Sequence, residues 1–277
     1  MKFRRARYGV VLVAAMLLAA GGDATFREAR RSEVPHVAGS GLHVESGNGF
    51  VRIEADPQGT GGPAAPATVR IEAEIRATTA ERLKAVTITA VREASGVLTI
   101  RPEFPGGKRE SNEGCSFTIR LPDARGVEVR TSNGDVHVAR LTGEARLHTS
   151  NGAVSVLGQA GPVTAKTSNA VVKADGVTGA MNVETSNGAI EVTLASETAG
   201  PVDLRTSNGA VTLRVHPGFT GIIDAETSNA EVTLRGVNGA RVERPSRGTA
   251  RVTVGEKGTA SRVRTSNGEI LIASAAQ

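Results

Sequence analysis

"RTSNGDVHV", residues 130–138, joins a four-residue turn former to a strand of alternating valines, and nearly the same phrase returns six more times. Thr-Ser-Asn followed by Gly or Ala begins at Thr131, Thr149, Thr167, Thr185, Thr206, Thr227 and Thr265, with the asparagines 18, 18, 18, 21, 21 and 38 residues apart. A period near 20 residues marks a repeat architecture in which each unit is one small supersecondary element. The last gap divides into 18 and 20 if "SRGTARVTV" (246–254) is a degenerate copy with its corner at Arg247.

Each unit carries two apolar alternations. Val136/Val138, Val154/Val156, Val172/Ala174, Ile190/Val192, Val211/Leu213, Val232/Leu234 and Ile270/Ile272 follow the turns, and Ala145/Leu147, Val163/Ala165, Met181/Val183, Val202/Leu204 and Ile223/Ala225 precede them. Period-two alternation means strands buried on one face. A two-strand unit cannot bury that face alone, but stacked units enclose a continuous core, each adding about 4.8 Å along the axis. The pattern predicts an all-β parallel β-solenoid of 18–21-residue coils. An antiparallel sandwich would not need the same residues at every second turn, whereas stacking brings equivalent positions into contact.

The repeated motif is read as structural, since an active site is made once. Counting inward from Val129 places Thr131 and Asn133 toward the interior, so the asparagines form a column of amides passing donor to acceptor between coils. The column comprises Asn48, Asn133, Asn151, Asn169, Asn187, Asn208, Asn229 and Asn267. Ala170 and Ala230 after the asparagine imply that smallness matters there more than positive φ, which leaves Asn as the left-handed residue. Asn169→Ala is expected to cost about 1–3 kcal/mol. The longer connections "TLASETAG" and "RVHPGFTG" account for the 21-residue steps and put extra length at one corner.

Lys2, Arg4, Arg5 and Arg7 precede an apolar run from Tyr8 to Ala20 that is too short for a spanning helix and ends in small residues. Residues 1–21 read as a signal peptide, which makes the chain an exported protein of periplasm, outer envelope or medium. Leu18-Ala19-Ala20-Gly21 has the form of a lipoprotein cleavage site, but Gly22 stands where the lipidated Cys would be, so membrane association has no anchor there. Residues 22–41 read as a flexible spacer, 42–130 as an N-terminal β part that caps the stack, with a short helix near 78–84, and 131–277 as the repeat solenoid. "TSNGEILIASAAQ" leaves little chain to cover its own edge, which could pair with a partner or a second copy to give a homo-oligomer.

Four of the basic residues behind the formal charge of +5 lie in the signal, leaving 29 Lys+Arg against 28 Asp+Glu. With no Trp, and its one Tyr at position 8, the rest of the chain lacks both the charge and the aromatic faces for nucleic-acid binding. Cys115 excludes an internal disulfide, and its register with Phe117, Ile119 and Leu121 buries it as a small apolar residue. Asp135, His137 and His148 are the best candidates for a metal or acid–base site. They read as solvated polar residues, and His36, His43 and His216 have no evident partners. No nucleophile elbow, phosphate loop or zinc spacing is present; no catalytic residue, cofactor or metal site is expected.

"SGNGFVRIEA", "GVLTIRPEFP" and "FTIRLPDARGVEVRTSNGDVHVARLTGEARLHTSNGAV", with the later TSNG units, resemble the DUF4097 family of adhesin-like proteins over most of residues 42–275. The resemblance implies a single-stranded β-helix, an exported or envelope-associated location, a link in some relatives to envelope stress, and no established enzymatic activity. The expected function is a non-enzymatic envelope scaffold or binding surface for an envelope protein or glycan. The alternative is a carbohydrate-active enzyme or a metal-binding face.

Overall fold

A computed structural model describes residues 18–19, 26–56, 67–196, 198, 200–255 and 258–275. The rest of the expected signal peptide, with Gly22, lies outside them. No helix among the described residues is long and apolar enough to cross a membrane. The chain divides into two compact units, residues 1–142 and 143–277.

In the first unit, parallel pairing holds the centre and antiparallel strands surround it. Val51–Ala55 pairs in parallel with Val136–Ala139 on one side and Gly114–Leu121 on the other. Leu42–Glu45 pairs in parallel with Arg125–Arg130 and Leu98–Glu103. Outside these, Thr68–Ala77 runs antiparallel to Gly114–Leu121, and Thr87–Arg92 antiparallel to Leu98–Glu103. Cys115, Phe117, Ile119 and Leu121 are all buried on one strand face. A short helix, Ala80–Ala85, starts where Thr79 Oγ1 accepts the Arg82 N–H at 3.1 Å and buries Leu83.

The flexible spacer expected over 22–41 is a strand through its middle. Phe26–Pro35 pairs antiparallel with all ten residues of Thr68–Ala77. Its alternation escapes a hydrophobic count because the inward side chains are Glu28, Arg30, Ser32 and Val34. Arg30 makes that burial tolerable: its Nε lies 2.9 Å from Glu28 Oε1, and its Nη2 and Nη1 donate to the Leu83 carbonyl at 2.9 Å and to the Val86 carbonyl at the end of the helix. A buried charge persists when paired and hydrogen-bonded in this way.

The second unit is a stack of parallel coils. One sheet runs in the order Val154–Leu157, Val172–Val177, Ile190–Leu194, Val211–Val215, Ile270–Ser274, Val232–Arg235. The other runs Thr142–His148, Val163–Lys166, Met181–Glu184, Val202–Arg205, Ala260–Thr265, Gly221–Thr227, followed by the antiparallel Thr249–Val254 and Ala240–Ser246. Of the alternating apolar residues read from the sequence in this unit, all are buried except Leu234 on the outermost coil, which is half-exposed.

Two expectations fail in this unit for one reason. The segment 240–254 is an antiparallel hairpin, so Arg247 lies at its tip and is no coil corner. Arg251 holds it to Gly221–Thr227 through Asp224, at 2.7 and 3.0 Å. The last coil, 260–274, then turns back and inserts between the coils at 202–215 and 221–235. The carboxyl-terminal strand is therefore paired on both sides and presents no open edge. The 38-residue gap records the length of a hairpin together with a reversal of stacking order.

Candidate functional site

The recurring corner is built from threonine inward and asparagine outward. Thr131, Thr149, Thr167, Thr185, Thr206, Thr227 and Thr265 are buried, none more than 7% exposed. Thr185 Oγ1 donates to the Ala170 carbonyl of the neighbouring coil at 3.2 Å and accepts the Gly188 N–H of its own coil at 3.3 Å. Thr206 repeats this with the Gly188 carbonyl at 3.0 Å and the Gly209 N–H at 3.2 Å, and Thr265 with the Gly209 carbonyl and the Gly268 N–H at 3.0 and 3.2 Å. A hydroxyl suits the position because it gives and takes one bond at once. Ser46 does similar work in the first unit, donating to the Cys115 carbonyl at 2.6 Å.

The asparagines lie on the opposite side of the chain from the expected one. Asn48 is half-exposed and the seven TSN asparagines are exposed. Their amides nevertheless connect coil to coil: Asn169 Nδ2 donates to Asn151 Oδ1, Asn187 to Asn169, Asn208 to Asn187 and Asn267 to Asn208, each at 2.7 Å, and Asn229 to Asn267 at 2.6 Å. In the first unit Asn133 donates to Asn48. Counting parity through the corner misplaces Asn because the chain bends there and alternation stops at Thr. None of these asparagines has positive φ; Arg140 is the one described non-glycine residue that does. The small residue after Asn is required by contact: a Cβ on Gly188 would lie 1.7 Å from the Ala170 carbonyl oxygen, and on Gly209 1.8 Å from that of Gly188.

Beside this corner the outward side chains form charged rows. Lys166 Nζ meets Glu184 Oε2 at 2.9 Å, Arg205 meets Asp203 at 2.7 Å, and Arg264 meets Glu226 at 3.5 Å. Glu184, Ser186, Arg205, Ser207, Arg264 and Ser266 line an open groove of about 440 Å³. A second hollow, of about 300 Å³, lies where the lengthened "RVHPGFTG" connection contributes His216, Pro217 and Phe219 opposite Val237, Val254 and Ala275.

The histidines do not assemble a reaction centre. His137 faces Glu54 at 3.7 Å, and burial, with the Arg52 charge, pushes its imidazole below its usual range. Asp135 belongs to the same unit, whereas His148 belongs to the other. His36, His43 and His216, expected to lack partners, have them: Asp123 at 3.1 Å, Glu45 and Glu128 at 3.1 and 3.4 Å, and the Thr198 carbonyl at 3.2 Å. Among the described residues no three His, Cys, Asp or Glu side chains are grouped to hold a metal ion. Burial pushes the Cys115 thiol far above its usual range, which leaves it unreactive.

Sequence reasoning turned Thr131 inward but gave the bonding between coils to the asparagines alone; the threonine column recurs as regularly as they do, which is the signal for its role. The Arg82–Glu113 pair has none: Glu113 is fully buried, takes Arg82 Nε and Nη2 at 2.6 and 2.7 Å and accepts the Glu110 N–H at 2.9 Å. The Arg82 hydrogen bond, acting against burial, holds the Glu113 carboxyl down at about 2.

Similar folds occur in a candidate cell adhesion protein from Clostridium sporogenes (15% identity, 90% of this chain and 100% of that one, TM-score 0.40) and in a candidate adhesin from Bacteroides fragilis (12% identity, 89% and 97%, TM-score 0.42). No curated protein matches the chain. The Toastrack DUF4097 family model matches residues 75–273, well over half the sequence and all of the repeated corners from Thr131 onward, and the chain therefore belongs to that family.

Proposed function

We propose that the protein is an exported, non-enzymatic component of the cell envelope whose solenoid serves as a binding surface. The observation that carries this reading is the groove along the corner, where Arg205 and Arg264 stand side by side on adjacent coils, flanked by Glu184 and Glu226, with serine hydroxyls beside them at the spacing of successive coils. Such an array offers repeated, shallow, polar contacts suited to an extended polar partner such as an envelope glycan or the surface of an envelope protein. It lacks the convergent groups that a single chemical step requires. The basic, then apolar, then small-residue order of the first 21 residues supports export.

The test is co-sedimentation of the purified full chain with envelope fragments, beside the same chain carrying Arg205→Glu and Arg264→Glu. Binding that the double substitution reduces by a factor of ten or more is expected. Equal sedimentation of both chains would remove the groove from the account, and a tagged chain retained in the cytosol with an intact amino terminus would overturn export.

A further inference from the structure

The open edge expected at the carboxyl terminus lies instead on Ala240–Ser246. This strand ends its sheet, with Thr249–Val254 on one side and no neighbour among the described residues on the other. The direction of its free groups follows from the ladder. Thr227 N–H donates to the Gly248 carbonyl at 2.8 Å, so Gly248, Ala250 and Val252 turn their backbone groups to Gly221–Thr227, while Arg251 and Thr253 turn theirs to Glu243 and Arg241. The N–H and C=O of Val242 therefore point to the open side. Its side chain is 40% exposed, although its register partner Val252 is fully buried.

The outward face brings its charges to this edge in order. Register sets Asp203 beside Arg262, Arg262 beside Asp224, Asp224 beside Arg251 and Arg251 beside Glu243. Signs thus alternate across five strands, and opposite charges facing each other across a sheet stabilise the pairing whereas like charges oppose it. The row stops on Glu243, and the next place in it calls for a cation. Arg241 stands two residues away on the same face, its side chain 82% exposed, meeting Glu243 of its own strand at 3.4 Å.

A second copy laid antiparallel with Val242 against Val242 supplies that cation. Its Arg241 falls opposite Glu243 and its Glu243 opposite Arg241, and the two Val242 residues exchange both of their free backbone bonds. The strand is therefore complementary to itself in charge, in hydrogen bonding and in its exposed valine, as a two-fold interface requires. The register slips between Glu243 and Ser246, and Pro245 has no N–H to offer, so pairing stops after Arg244. We infer that two copies of the chain form a closed dimer by pairing Ala240–Arg244 antiparallel about Val242, which continues one sheet from copy to copy.

The experiment is sedimentation velocity on the full chain, which is expected to dimerise. Arg241→Glu alone and Glu243→Arg alone each set like charges against one another at both contacts, and each should raise the dissociation constant about tenfold or more. An equimolar mixture of the two variants, differently tagged, sets Glu against Arg at both contacts and should restore the dimer as a mixed species. The mixture also controls for folding, since unfolded chains would not recombine. A wild-type chain that stays monomeric up to about 100 μM overturns the inference. So does a dimer that either variant retains undiminished, since it associates through another surface. A loss that mixing fails to repair overturns it as well, because the antiparallel register requires the rescue.

Discussion

The two units solve the problem of enclosing a β core by different means. In residues 143–277 the coils repeat one set of contacts, a buried threonine hydroxyl, an exposed amide and a glycine or alanine after it, so stability accumulates in small similar steps. In residues 1–142 the outer strands are antiparallel, and two individual ion pairs carry buried charge, Glu28–Arg30 with both partners buried and Arg82–Glu113 with the carboxylate buried. Repetition spreads the energetic load, whereas a unique buried pair concentrates it. A mutation in a coil should therefore cost little and stay local, and one at a buried pair should cost much and spread through its unit.

The largest expected effect comes from Glu113→Ala, which leaves Arg82 facing an empty acceptor site and frees the Glu110 N–H. Losing the charged hydrogen bonds while a part-exposed Arg82 regains water costs about 2–3 kcal/mol, and amide exchange should accelerate across residues 68–121 more than across 143–275. The same carboxyl gives the first unit a pH signature. Its folded value of about 2 lies below the ordinary 4.5, so its stabilisation is complete above pH 4.5 and is lost as pH falls through 2. Urea midpoints measured for the two units between pH 5 and 2 should fall more steeply for the first, and Glu113→Gln should remove that difference. A parallel decline of both units in the wild-type chain would break the comparison.

Gly209→Ala comes next. Its Cβ would lie 1.8 Å from the Gly188 carbonyl oxygen, so the coils must separate locally, at about 1–3 kcal/mol. Thr185→Val keeps shape but strands the Gly188 N–H and the Ala170 carbonyl, for about 1–2 kcal/mol; Thr185→Ser should restore most of it. Both losses are read as urea midpoints of the second unit. Asn169→Ala is the smallest. Exposure lets water replace the lost partners of Asn151 and Asn187, which brings the cost below the 1–3 kcal/mol expected for a buried amide, to about 0.5 kcal/mol. A larger loss than that of Thr185→Val would reverse the ranking of the two columns.

Much of the coil is legible in the amino-acid sequence. The spacing of the seven TSN motifs and the double apolar alternation point to stacked coils, and the inward residues from Val136 to Leu213 are the ones found buried. The site is legible only in part. Alternation places Thr131 correctly, but the same count carried past the bend turns Asn133 inward. The strand Phe26–Pro35 is hidden because its inward face reads Glu, Arg, Ser, Val, and a hydrophobic count cannot foresee that Arg30 will find Glu28 and two carbonyls at a helix end.

The sequence by itself determined the coil: its length, its inward and outward faces and the residues at its corner, because these follow from alternation and turn chemistry within some twenty neighbouring residues. Tertiary structure alone decided which coil stands beside which. Coils with interchangeable threonines, amides and carbonyls satisfy one another in any order, so local chemistry left the place of residues 260–274 open. What settled it was the hairpin at 240–254, which occupies the outer edge of Gly221–Thr227 and leaves the last coil the slot between two earlier ones.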